Sequence, residues 1–138
     1  MRLLGLDLGT KTLGVAISDN LGIIASKYDL IKFKEEDYEE ALNKLMPIID
    51  EFNITTVVLG LPKNMNNTLG FASKRSMNFK ELLENKGIKV ILQDERLTSV
   101  EANNVLISAN VSRKKRKEEV DSLSAVLILQ SYLDRKED

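Results

Sequence analysis

Asp7 lies within "LLGLDLGTKTLGVAISD" (Leu3–Asp19), where a buried strand would hold another aliphatic residue, and Gly9, Thr10 and Lys11 follow it. Two more acids border apolar segments: Glu95 in "DERLTS", just after "IKVILQ", and Asp121, just before "SLSAVLILQSYL". The 138 residues include no His and no Cys. That composition excludes the commonest general base and zinc ligand, thiolate nucleophiles and disulfides. Chemistry on this chain falls to carboxylates, Lys, Arg, Tyr, Ser and Thr, with an oxygen-loving metal as the natural helper. Carboxylates drawn together repel and raise one another's pKa, and a divalent cation removes the repulsion. Oxygen ligands alone select Mg²⁺ or Mn²⁺ over Zn²⁺. A pair of such ions clamps the attacking water and the leaving oxygen of a phosphodiester.

The elements that must position these acids are legible in the apolar spacing. Residues 2–8 read as a strand, Gly9 to Lys11 as a turn, 12–18 as a second strand, and "DNLG" (19–22) as the turn into a third at about 23–32. Apolar residues at 38, 41, 42, 45, 48, 49 and 52 give a helix, in which Pro47 should produce a kink or a new turn. A buried strand follows at 54–62, then a helix near 71–85 that packs Ala72, Phe79, Leu82 and Leu83 and is capped by Gly87, then a strand at 88–95. Thr98-Ser99-Val100-Glu101 has the pattern of a capping box opening a helix to about 109. A basic loop leads to a last helix at about 118–134, apolar nearly all round and so buried. Right-handed crossovers then give an α/β fold: a five-stranded mixed sheet, antiparallel through strands 1–3, with strands 4 and 5 parallel, flanked by helices. One domain, 1–138, suits this length.

Strands one, four and five of such a sheet end at one edge, and ligands of open α/β sheets collect at the carboxyl ends of strands. Asp7, "GLPKNMNN" and "DERLTS" all fall there. Asp121 falls in the first turn of the last helix, on the stripe of Ala125, Ile128 and Tyr132. The helix dipole favours an acid there by about 0.5 kcal/mol, too little to offset burying a charge, and a bound cation resolves the conflict.

Simpler roles stand beside these. Asp7 reads also as a strand-end acid, Gly9 and Thr10 as turn residues, Lys11 as a solvated lysine or a phosphate contact, Asn64 as a loop-ordering residue or a contact near the scissile phosphate, Thr98 as a helix cap, and Glu95 with Arg96 as an exposed ion pair. Gly60, Leu61 and Pro62 end a strand. Arg113, Lys114, Lys115, Arg116 and Lys117 read as a mobile basic arm suited to neutralising a nucleic acid backbone. The net charge of −1 names no partner, although acids crowd 34–40 and bases crowd 112–119. Four Phe, three Tyr and no Trp argue against an extensive base-stacking platform. No apolar run is long enough for a membrane span and no signal-peptide layout opens the chain, so a cytoplasmic location is expected.

Taken in order and spacing, "GLDLGTKTLGVAISD", "VVLGLPKNMNNTLG", "DERLTS" and "DSLSAVLILQSYL" resemble the YqgF family over essentially the whole chain. Those are small bacterial ribonuclease-H-like proteins, described as Holliday-junction-resolvase-like and as the nuclease that matures the 5′ end of pre-16S rRNA. The resemblance implies a ribonuclease-H-like fold and a Mg²⁺- or Mn²⁺-dependent nuclease with two ions held by Asp7, Glu95 and Asp121. It implies cleavage that leaves 5′-phosphate and 3′-hydroxyl ends. Thr10, Lys11, Asn64, Arg96, Arg113, Lys114, Lys115 and Arg116 are the expected substrate contacts. Ser99 stands where the family usually has Thr, and Asn67 where it often has Gly. The expected partner is pre-rRNA, or alternatively a four-way DNA junction. A non-catalytic module binding RNA or the small ribosomal subunit precursor is a second class. An ATPase or sugar-kinase relative, suggested by "LDLGTKT", is a third, but that design needs two such domains. A two-fold symmetric junction asks for a homodimer, whereas an end-trimming nuclease need not be one, so monomer and homodimer both stand.

Overall fold

Alternation along the first strand decides how the sheet is covered. Within β1 (Leu4–Leu8) every residue is buried except the half-buried Asp7, the pattern of a central strand covered on both faces. β2 (Thr12–Ser18) and β3 (Ala25–Lys32) follow it as an antiparallel meander. Helix α1 (Tyr38–Glu51) crosses to β4 (Thr56–Leu61), helix α2 (Phe71–Glu84) crosses to β5 (Lys89–Asp94), and helix α3 (Arg113–Arg135) comes last. This computed structural model describes residues 2–61, 71–94 and 113–135, the side chains of 71–73, 94 and 113–122 excepted. The five strands form one sheet of order β3-β2-β1-β4-β5, with β1, β4 and β5 parallel.

Leu4, Leu6 and Leu8 point to one face, where they join Leu13, Val15, Val57 and Leu59 beneath Leu45 and Ile49 of α1 and Phe79 and Leu83 of α2. Leu3, Ala16 and Val58 point to the other, beneath Ala125, Ile128, Leu129 and Leu133 of α3. Gly5 is the contact point of this second layer. A Cβ built there would lie 2.5 Å from the Leu129 Cβ and 2.8 Å from the Ala125 carbonyl oxygen, so only glycine lets α3 approach β1 this closely.

The two crossover helices end the same way. Ile54 N–H reaches the Ile49 carbonyl (2.9 Å) with Asn53 at φ 53°, and Ile88 N–H reaches the Leu83 carbonyl (3.2 Å) with Gly87 at φ 82°. This is the Schellman arrangement, and in each case a buried Ile follows the left-handed residue shortly before a parallel strand. Asp37 caps α1 by accepting the Glu40 N–H at 3.1 Å.

Several expectations need correction. The basic run Arg113–Lys117 is not a loop but part of α3, because Arg, Lys and Glu are strong helix formers and neither Gly nor Pro interrupts 113–123. Asp121 is therefore not in the first turn, and the dipole argument for it lapses. Nor is α3 buried all round: Ser124, Ala125, Ile128, Leu129 and Leu133 are buried while Ser131, Asp134 and Arg135 are exposed, because only one side of the helix meets the sheet. Helix α1 does not restart at Pro47 but is continuous through it; Pro47 is exposed, so the Asn43 carbonyl deprived of its donor belongs to the solvent side of the helix. β3 starts at Ala25 rather than 23, because the Asp19 carboxylate takes the Ile23 and Ile24 N–H groups (2.7 and 3.2 Å).

Candidate functional site

Asp7 is the next-to-last residue of β1, on the same face as Gly5 and hence on the side covered by α3. It pairs across the antiparallel ladder with Gly14, which in turn pairs with Leu30. On its other flank the last parallel pair is Leu6 with Leu59, and the residue after Leu59 is the buried Gly60, itself paired with Gln93. The strand neighbours of Asp7 at this level thus carry no side chains. Asp7 is half-buried at this level, and in a chain without His or Cys its carboxylate oxygens are the kind of donor a hard divalent cation takes.

Helix α3 brings residue 121 to this face. It lies one turn before Ala125, whose carbonyl meets Gly5, and Gly5 is two residues before Asp7. Glu95 follows directly on β5 and lies outside the described residues, as do Pro62, Asn64, Asn67, Arg96, Thr98 and Ser99. Among the described side chains no three acids converge as a metal cluster. Of the expected triad, the described geometry fixes the side chain of Asp7 and the backbone position of Asp121. Arg113, Lys114, Lys115 and Arg116 occupy the first turns of α3 at backbone level.

The turn after Asp7 is built rigidly. Gly9 N–H donates to the Thr12 carbonyl at 2.8 Å. The segment after β3 then braces the turn from outside: Phe33 N–H donates to the Lys11 carbonyl at 2.9 Å and Glu36 N–H to the Thr10 carbonyl at 2.8 Å. Glu36 reaches that carbonyl from a left-handed conformation, φ 60°, which costs a non-glycine residue about 1 kcal/mol or more. Lys34 N–H is held by Glu40 Oε1 at 2.6 Å. Thr10 is half-buried and the Lys11 side chain projects exposed from this fixed backbone.

Sequence reasoning passed over this brace, having read 34–40 only as an acidic patch. It also passed over Tyr38, Arg75 and Gln93. Arg75 Nε donates to Tyr38 Oη at 3.0 Å, and the Tyr38 ring packs edge-on against Phe33, 5.8 Å between centroids. Gln93 is buried near the end of β5 and its Oε1 accepts from Arg135 Nη2. The spacing of Arg75 from Phe79 and Leu83, both buried on α2, was the available signal: a cation on a core-facing helix flank asks for a partner.

This sheet order, with a carboxylate ending the first strand, is the ribonuclease-H-like fold of the RuvC-type resolvases. Thermus thermophilus RuvC in complex with a Holliday junction substrate matches with a TM-score of 0.59 at 12% identity, covering 99% of this chain and 98% of that one. The Fowlpox virus resolvase in complex with Holliday junction DNA matches with a TM-score of 0.61 at 18% identity, covering 97% of each. The chain belongs to the RuvX family, the YqgF family of the motifs above, whose model is described as a Holliday junction resolvase and matches residues 1–135. Relatives named "Putative pre-16S rRNA nuclease" include one from Geobacillus sp. (strain WCH70), 54% identical over 138 residues and covering 99% of this chain and 100% of its own. Another, from Bacillus subtilis (strain 168), is 49% identical over 135 residues and covers 97% and 98%.

Proposed function

We propose that the protein is a divalent-metal-dependent nuclease that matures the 5′ end of pre-16S rRNA. The observation that carries the reading is Asp7: an acid at the carboxyl end of a central strand, flanked by glycines, on the face that receives the helix bearing Asp121. Relatives at about half identity over nearly the full chain, named for this activity, supply the substrate.

Asp7, Glu95 and Asp121 would hold Mg²⁺ or Mn²⁺, two ions in the fullest form, and the chemistry such ions would supply is water activation and stabilisation of a leaving oxygen. The chain's own part is to fix the carboxylates and orient the strand. The braced turn holds Thr10 and Lys11 toward the backbone phosphates, and Asn64, Arg96 and the basic start of α3 extend that contact. Arg113, Lys114, Lys115 and Arg116 act here from a helix, so their spacing along the substrate is set by its pitch. The products carry 5′-phosphate and 3′-hydroxyl ends. Residues 1–138 work as one nuclease domain. No described helix is long and apolar enough to cross a membrane, and the assigned substrate belongs to the bacterial cytoplasm.

The family description favours a second substrate, the four-way DNA junction. Purified protein with Mg²⁺ or Mn²⁺ decides between them, given a pre-16S leader RNA and a four-way junction in parallel, with Asp7→Asn as the blank. Cleavage of the RNA that vanishes in Asp7→Asn supports the reading. Cleavage of the junction alone replaces the substrate, and cleavage undiminished in Asp7→Asn refutes the site.

A further inference from the structure

We propose that Arg75 grips a backbone phosphate of the substrate strand and that the Tyr38 hydroxyl aims it. The inference rests on the nuclease reading and adds a contact to it. Helix α2 ends just before β5, which runs parallel to β4 and β1, so its first turns lie toward the carboxyl edge, where Asp7 is the next-to-last residue of β1. Tyr38 opens α1 directly behind the braced turn. Backbone bonds join Lys11 to Phe33, ring contact joins Phe33 to Tyr38, and the Tyr38 hydroxyl accepts from Arg75 Nε at 3.0 Å. A continuous chain of contacts therefore fixes the guanidinium relative to the turn that follows Asp7.

Among the described residues, that guanidinium is engaged by the Tyr38 hydroxyl. Arginine has five N–H donors in a planar fork, and the Tyr38 bond uses only the one on Nε. Among the described residues no carboxylate pairs with Arg75, although Glu35, Glu36, Asp37, Glu39 and Glu40 all belong to the segment and helix start around Tyr38. A neutral hydroxyl orients the group without cancelling its charge. The Nη pair retains the geometry that takes two oxygens of one phosphate. Arg75 is half-buried, and its Nε is held by the Tyr38 hydroxyl.

The test is nucleic acid binding in the Asp7→Asn background, where no cleavage intervenes, using fluorescent pre-16S leader RNA across a salt series. Arg75→Gln is expected to weaken binding about tenfold and to lower the slope of log K against log salt by about 0.7, the value of one phosphate on a single strand. Arg75→Lys should recover the slope but not the full affinity, and Tyr38→Phe should weaken binding about threefold with the slope kept. An unchanged slope in a folded Arg75→Gln protein overturns the proposal, whether or not affinity falls, because a purely structural role moves affinity alone. If Arg75→Gln does not fold, an unchanged Kd in Tyr38→Phe overturns it instead. Cleavage surviving in Asp7→Asn sinks the metal-site reading and leaves the Arg75 result standing, so the two failures are distinguishable.

Discussion

Replacing Gly5 by Ala should damage catalysis more than it damages the fold. The added Cβ would lie 2.5 Å from the Leu129 Cβ and 2.8 Å from the Ala125 carbonyl oxygen. Neither atom is the end of a flexible side chain, so rotation gives no relief. Carbon atoms need about 3.5 Å, which leaves the packing short by about 1 Å. β1 is hydrogen-bonded on both sides, to β2 and to β4, whereas α3 rests on the sheet by side-chain packing, so the helix yields. Overpacking of this kind costs about 1–3 kcal/mol, or roughly 3–10 °C in a chain of this size. Residue 121 rides on the same helix one turn earlier, and a misplacement of about 1 Å at a reacting centre costs about 100-fold in rate. Ile49→Val is the control: it removes one methylene from α1, on the opposite face of the sheet, at about 1 kcal/mol. Thermal unfolding and single-turnover cleavage well below both midpoints separate the two effects. Gly5→Ala is expected to lose about two orders of magnitude in cleavage while Ile49→Val keeps nearly full rate. Equal rates in the two variants, or an unfolding midpoint for Gly5→Ala within about 1 °C of the parent, would refute the displacement of α3.

Gly87→Ala tests the helix ending alone. Nothing lies within 4 Å of a Cβ there, so the whole penalty is the left-handed backbone, and urea unfolding should show a loss of about 1 kcal/mol with an unchanged m-value. Asp19 supplies a pH dependence. The Ile23 N–H, with further help from those of Ile24 and Gly22, holds its carboxyl below the ordinary value despite opposing desolvation. A depressed folded pKa stabilises above the unfolded value of about 3.9 and is lost as pH falls through the folded one. The stability gap between the parent and Asp19→Ala should therefore be flat from neutral pH to about 5 and narrow below about 4; a gap that widens on acidification contradicts the assignment.

The sheet was legible because its signals are local. Alternating apolar residues in 12–18, an apolar run at 54–62 that ends at Gly60 and Pro62, and Gly87 after a helical stripe each name their element. Asp7 was legible for the opposite reason, as an acid that the surrounding pattern does not explain. The start of α3 was not, since Arg113–Lys117 carries no apolar periodicity and only helix propensity marks it. The brace on Thr10 and Lys11 could not be read from the sequence at all, because it consists of backbone bonds made by residues more than twenty positions away. Arg75 and Tyr38 meet across 37 positions by the same kind of tertiary accident, and Gln93 with Arg135 across 42. The glycine neighbours of Asp7 needed the strand register, which assigns Gly14 opposite it.

Mn²⁺ binding by the purified protein, titrated with Asp7→Asn, Glu95→Gln and Asp121→Asn in parallel, tests the proposed metal site without any substrate. Each substitution is expected to weaken binding at least tenfold while leaving the unfolding temperature of the metal-free protein at or above that of the parent, since removing one of several crowded carboxylates relieves repulsion. Mn²⁺ affinity equal to the parent's in all three variants would contradict the shared carboxylate site.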